Sequence, residues 1–228
     1  RCAISTRKTT LKVLKTSSGR RSQKAGCLPL CQCHKGDGAD GPPQKQRAHE
    51  EGAFMNAELQ FLTALQGLHT PARDAVMLFF TRLGNAGFVW IALAAILLLF
   101  RRTRRAGCIL ALALVCDLVL CNFILKPLVH RVRPCDLLPE VTLLIPHPSD
   151  YSFPSGHTAA SFTAVAALWL AGKKRLAGAT LVLGVFIAFS RLYLCVHFPT
   201  DILGGVLVGL VCGWLGKWLW ESFAQKQA

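Results

Sequence analysis

From residue 55 onward, long apolar runs alternate with short charged ones. Residues 84–100 are apolar and end at Arg101, Arg102, Arg104 and Arg105. Residues 106–125 form a second run, broken only by Asp117 and Asn122. Residues 158–172 follow and are closed by Lys173, Lys174 and Arg175, after which come the runs 176–190 and 202–220. This pattern predicts five membrane-spanning helices. Several runs are shorter than the ~20 residues that a perpendicular span needs. Each can borrow a turn from its flank: residues 155–157 before the third run, residues 191–194 after the fourth. Upstream, residues 57–68 and 72–83 read as amphipathic helices that lie in the interface or supply a partial sixth span. The expected fold is therefore all-α, a polytopic membrane helical bundle of five to six transmembrane helices. A soluble bundle would need polar helix faces, which these segments almost entirely lack.

Ahead of this region the pattern stops. Residues 1–54 show neither a helical nor an alternating period, and residues 35–43 read as loop. Two domains are expected: a basic, disordered or non-native segment at 1–54, and a membrane-embedded domain at 55–228. The first methionine, Met55, stands at the boundary. Cys27, Cys31, Cys33 and His34 cluster in the first segment, but CxxxCxCH is neither a paired CxxC zinc pattern nor a CxxCH haem site.

Composition agrees with the membrane reading. Of 228 residues, 52% are hydrophobic and 17% charged, which excludes disorder for the chain as a whole. The net charge is +14, so anionic partners are implied. Nucleic acid would be such a partner, but only the charge favours it, and no nucleic-acid partner is expected. Cys108, Cys116, Cys121 and Cys212 sit singly inside apolar runs, where cysteine behaves as a small hydrophobe. Cys135 and Cys195 fall on a common side and could pair, though nothing in the spacing demands it.

Basic loops orient the helices. The arginines at 101–105 and the cations at 173–175 each join two spans, so both loops belong on the cytoplasmic side. Trp214, Trp218 and Trp220 with Lys217 suit an interfacial anchor at the same side. The segments 126–153 and 193–201 then face the extracytoplasmic side of a cell membrane.

Those outer segments hold most of the residues capable of chemistry. Lys126, His130, Arg131 and Arg133 close the second span. Ser155, Gly156 and His157 open the third. Ser190 and Arg191 end the fourth, and His197 and Asp201 precede the fifth. Taken singly, each has a duller reading: Lys126 as an interfacial anchor, Ser155 as a helix cap, His197 as a solvated loop residue, Asp201 as a first-turn acid. Together they are the types needed to bind and cleave a phosphate ester. Cations neutralise the charge on the equatorial oxygens during phosphoryl transfer. A helix start at Pro154-Ser155-Gly156-His157 offers backbone N–H groups to an anion. Histidine can act as nucleophile or general acid, and an acid four residues on can orient it. No metal or other cofactor is expected, because no acid or histidine cluster here has metal-ligand character. Asp117, inside a span, is read as an interhelical hydrogen-bond anchor rather than a catalytic group.

Lys126-x6-Arg133-Pro134, Pro154-Ser155-Gly156-His157 and Ser190-Arg191-x5-His197-x3-Asp201 resemble the three-part signature of the type-2 phosphatidic acid phosphatase superfamily. All three motifs match in residue type, order and spacing, over roughly residues 56–220. The resemblance implies that His197 attacks phosphorus to form a phosphohistidine and that Asp201 orients it. It implies that His157 protonates the leaving oxygen and then activates water. Lys126, Arg133, Ser155, Gly156 and Arg191 would hold the phosphate oxygens, while Ser190 belongs to the motif without an assigned role. The compact size and short loops resemble bacterial undecaprenyl pyrophosphate phosphatases within the superfamily. The expected function is hydrolysis of a lipid phosphate or pyrophosphate, preferably undecaprenyl pyrophosphate, in service of cell-wall synthesis. A phosphatidate or phosphatidylglycerol-phosphate phosphatase is the alternative enzyme. A non-catalytic lipid-pyrophosphate binder or transporter is the rival of another class.

Overall fold

The computed structural model describes residues 44–226, with side-chain detail from residue 55 onward. The cluster of Cys27, Cys31, Cys33 and His34 lies outside the described residues. All elements among the described residues are helical: α1 (Gln44–Gln66), α2 (Pro71–Leu83), α3 (Phe88–Leu99), α4 (Arg104–Asp117), α5 (Lys126–Val129), α6 (Pro134–Leu137), α7 (Gly156–Leu170), α8 (Lys174–Tyr193) and α9 (Pro199–Gln225). Helix α1 corrects one expectation. It starts at Gln44, so residues 44–54 are helical and the boundary drawn after residue 54 falls inside it. The local sequence there has no apolar stripe of its own. The helix is anchored further on, where buried Leu62 and Leu65 pack against Cys195 and Phe198.

By length and apolarity three helical stretches can cross a membrane: Arg104–Leu137, Lys174–Tyr193 and Pro199–Gln225. Helices α2 and α3 form a fourth candidate, bent by 46° at the turn between them. Five apolar runs thus become three or four spanning elements by this measure. The difference lies in α7, which has 15 residues. At 1.5 Å per residue it extends about 22 Å, short of the ~30 Å hydrocarbon core. It is packed between α8 and α9, and Ser155 just ahead of it donates its N–H to the Asp201 carbonyl.

Between α4 and α5 the backbone widens into a π-helical stretch, Leu118–Leu125. Pro127 follows it. A helical proline lacks an N–H and crowds the carbonyl four residues earlier, and the wider turns move that carbonyl aside. The continuous stretch thereby delivers Lys126 to the end of the bundle without breaking.

The core lies where α3, α4, α7 and α8 meet. Trp90, Ile109, Leu110, Leu168 and Ile187 are fully or almost fully buried there, and Trp90 Nε1 donates to Ser161 Oγ at 3.2 Å. Helix α9 packs along α7 and α4 through glycines. Many large apolar side chains remain exposed on the outer faces, among them Phe88, Leu99, Phe123, Leu203 and Leu207. In water such surface would drive association, and in a bilayer it is the surface lipid wets. Cys135 and Cys195 are free thiols, so the possible pair does not form.

Candidate active site

The three signature segments converge at one end of the bundle. A cavity of about 640 Å³ is lined there by Lys126, Arg133, Gly156, His157, Arg191 and His197. It continues between α3 and α4 along Ile91, Ala94, Ala111, Leu114, Val115 and Leu118. One end is therefore cationic and the other apolar, the partition that a lipid with an anionic head requires.

Each polar group arrives by a separate element. Arg133 follows the αL residue His130 (φ 52°), which turns the chain away from α5. The buried Arg133 guanidinium is held along its edges. Its Nε donates to the Asp150 carbonyl at 2.9 Å, and its Nη1 donates to the Val196 carbonyl at 2.7 Å. The same Nη1 lies 3.3 Å from His197 Nε2. Its Nη2 donates to Asp150 Oδ1 at 2.6 Å, and the Lys126 ammonium pairs with Asp150 Oδ2. The Asp150 carboxylate thus spans the two cations that a phosphate would meet. Burial alone would raise the Asp150 pKa, but Lys126 and Arg133 overcome it and hold the acid at about 2.

Arg191, at the end of α8, is buried; its Nη1 donates to Thr81 Oγ1 of α2 at 2.5 Å, while its Nε has no partner among the described residues. A buried guanidinium donor left open at a cavity wall can serve an incoming oxyanion. A Cβ on Gly156 would come within 3.7 Å of Lys126 Nζ, so this position is part of the cationic wall. Ser155 occupies the cap position of α7, but its side chain does not cap the helix. Its hydroxyl accepts from Thr158 Oγ1 at 3.1 Å, and the residue sits buried behind the cavity wall.

His197 is 2% exposed and Asp201 is 0% exposed. The imidazole Nδ1 faces Asp201 Oδ2 at 3.6 Å, an ion-pair distance longer than a hydrogen bond. Asp201 itself is fixed: Oδ2 accepts from Ser152 Oγ at 2.5 Å and from the Phe198 N–H at 2.8 Å. Burial pushes His197 down to about 4; Arg191 and Arg133 add to this, and Asp201 opposes it. The ring is therefore neutral near pH 7, and Nε2, 3.3 Å from Arg133 Nη1, has the lone pair of a base or nucleophile. His157, on the first turn of α7, reaches Asn85 Oδ1 through Nε2 at 3.0 Å.

Other singled-out residues fall elsewhere. His130 packs edge-on against Tyr151 and is exposed, outside the cavity lining. Ser190 Oγ donates to the Ile187 carbonyl at 2.6 Å within its own helix. Asp117 does line the cavity. Its Oδ1 is buried without a partner among the described residues, so the expected interhelical anchor is not made by that oxygen. Cys135 and Asp136 of α6 and His147 of the segment after it bring three potential ligand atoms within 4.8 Å, a grouping that sequence spacing did not reveal. Asp150, Thr81, Asn85 and Ser152 were also missed. None falls within a short motif, and each meets the site only through folding.

An apolar helical bundle with imidazoles and paired cations at one end of a lipid-sized cavity is the arrangement of a membrane-embedded phosphatase. Residues 106–224 match the model of the PAP2 superfamily. The chain is 35% identical over 160 residues to an undecaprenyl-diphosphatase of Sulfolobus acidocaldarius, covering 70% of this chain and 76% of that protein. Among solved structures it is similar to Aquifex aeolicus LpxE, with a TM-score of 0.61, 32% identity, and coverage of 69% of this chain and 93% of that one. It is also similar to the transmembrane PAP2-type phosphatidylglycerolphosphate phosphatase of Bacillus subtilis, with a TM-score of 0.58, 30% identity, and coverage of 76% and 87%. The chain belongs to the PAP2 superfamily and is a multi-pass membrane protein of its lipid phosphatase class.

Proposed function

We propose that this phosphatase removes the terminal phosphate of undecaprenyl pyrophosphate at the extracytoplasmic face, through a phosphohistidine on His197. The observation that carries the proposal is the single cavity joining His157, His197, Lys126, Arg133 and Arg191 to a long apolar wall. Sidedness rests on the cationic loops at 101–105 and 173–175, which favour the cytoplasm. The polyprenyl preference is supported by the Sulfolobus acidocaldarius relative, named an undecaprenyl-diphosphatase.

In the first step His197 Nε2 attacks the terminal phosphorus while the bond to the bridging oxygen breaks, and His157 gives that oxygen its proton. In the second step His157 takes a proton from water, the water oxygen attacks phosphorus, and the phosphorus–nitrogen bond breaks to release phosphate. Lys126, Arg133 and Arg191 hold the non-bridging oxygens beside Gly156, whereas Ser155, expected to join them, is committed behind the wall to Thr158 and Asp201, and Asp201 stabilises the positively charged ring. Hydrolysis of phosphatidylglycerol phosphate is the second reading, favoured by the Bacillus subtilis structure named for that activity.

The test is phosphate release by the detergent-solubilised protein from undecaprenyl pyrophosphate, phosphatidylglycerol phosphate and phosphatidate, with and without EDTA. Undecaprenyl pyrophosphate is expected to have the highest kcat/KM, unaffected by chelation. His197→Ala should lower kcat by about a thousandfold or more. A faster glycerolipid would replace the substrate assignment, and an active His197→Ala would refute the nucleophile.

A further inference from the structure

The acid beside His197 is one link in a longer chain of charges. While Asp201 Oδ2 faces the imidazole, Oδ1 accepts from Arg131 Nη1 at 2.7 Å. Arg131 Nη2 donates to Glu58 Oε2 at 2.7 Å. The other Glu58 oxygen, Oε1, accepts from the Thr200 N–H at 3.0 Å and from Thr200 Oγ1 at 2.7 Å. Arg131 Nη1 also donates to Thr200 Oγ1 at 2.6 Å, and the guanidinium lies 4.0 Å over the Phe198 ring. Glu58 is 5% exposed, so this carboxylate is shielded from water and its charge is felt by its neighbours. The series runs imidazole, carboxylate, guanidinium, carboxylate. Its last member comes from α1, outside the residues 106–224 that match the family model.

We propose that Arg131 and Glu58 are positioning residues that set how much negative charge Asp201 presents to His197. Arg131 withdraws charge from Asp201, and Glu58 partly neutralises Arg131, leaving Asp201 enough charge to support a cationic ring. The inference rests on the reading of His197 as the reacting imidazole. The sign of each effect follows from Coulomb's law. Glu58→Gln keeps the shape but removes a negative charge, so the full charge of Arg131 falls on Asp201. The cationic ring loses support and its proton affinity falls. Arg131→Gln does the reverse: Asp201 is relieved and the ring holds its proton more tightly. The other charged or titratable groups facing His197 are Arg133, Arg191 and His157, and neither substitution touches them.

A residue that merely tied α1 to the start of α9 would lower the yield of folded protein without moving the titration of His197. The experiment therefore reads that titration directly, by NMR of imidazole-labelled, detergent-solubilised protein. It is run beside the acidic limb of kcat/KM for phosphatidate, whose own ionisation is common to all variants. Glu58→Gln is expected to move both readouts down by about half a pH unit, Arg131→Gln to move both up by a similar amount, and the double variant to return toward wild type. Limbs that stay fixed, or that move in the same direction in both variants, overturn the proposal. If Arg131→Gln does not fold, the downward shift in Glu58→Gln and its absence in Glu58→Asp decide the matter. His197→Ala separates the two readings. Retained activity there, with the NMR shifts present in the other variants, sinks the nucleophile and leaves the charge relay standing.

Discussion

Helices α7 and α9 make two regions on opposite terms. Along their length they meet through Gly205, Gly209 and Gly213, spaced four residues apart on one face of α9. A Cβ at Gly209 would stand 2.7 Å from the Ala159 carbonyl oxygen and 2.7 Å from the Thr163 nitrogen. This seam is held by the absence of volume. At one end the same helices run into the polar pocket, where the Ser155 N–H donates to the Asp201 carbonyl at 3.1 Å. Beyond that contact the pocket is held by paired charges: Asp150 with Lys126 and Arg133, and Asp201 with Arg131. The difference teaches a division of labour. Close packing of the seam brings two helix starts side by side, both with positive dipole ends toward the site. Charge pairing then decides what those starts do.

Three perturbations separate the regions. The largest effect is expected at the seam. Gly209→Leu forces backbone apart on the order of 3 kcal/mol, so folded protein should be lost in size-exclusion chromatography together with activity. A monodisperse and active variant would mean that the seam yields more easily than its contacts indicate. The next tests the pocket by pH. His197, held down to about 4 chiefly by burial, is neutral above that value and becomes protonated below it. At pH 5 the ring should be ~90% neutral, whereas an ordinary imidazole would be ~3% neutral. Its limb in kcat/KM should therefore lie near pH 4, and a limb near 6.5 would show that water reaches the ring. The smallest effect is expected from Asp150→Asn. Removing the half-exposed carboxylate that spans Lys126 and Arg133 should tighten inhibition by inorganic phosphate on the order of fivefold, while seam and fold are untouched. Weaker inhibition would make Asp150 a support for the cations rather than a competitor of phosphate.

Much of the site was legible because its chemistry is written in short motifs. Lys126, Arg133, Gly156, His157, Arg191 and His197 were all picked from residue type and spacing, and all six line one cavity. The supports were not legible. Glu58 stands in the segment 57–68, read only as amphipathic, yet it is buried against Arg131 and Thr200. Thr81 and Asn85 stand in a region read only as apolar or amphipathic, and they hold Arg191 and His157. Arg131 carried the one available signal, a second arginine two residues before Arg133, but nothing in that spacing reveals which carboxylates it joins.

The sequence by itself determined that the chain is a helical membrane protein and singled out six residues that line one cavity. Hydrophobicity is additive along a segment, and a side chain carries its chemistry wherever it goes. Only the tertiary structure decided that α7 packs between α8 and α9, that Asp150 lies across Lys126 and Arg133, and that α1 reaches Asp201 through Glu58 and Arg131. Those outcomes depend on distances between residues far apart in the chain, and such distances arise only when packing fixes the helices against one another.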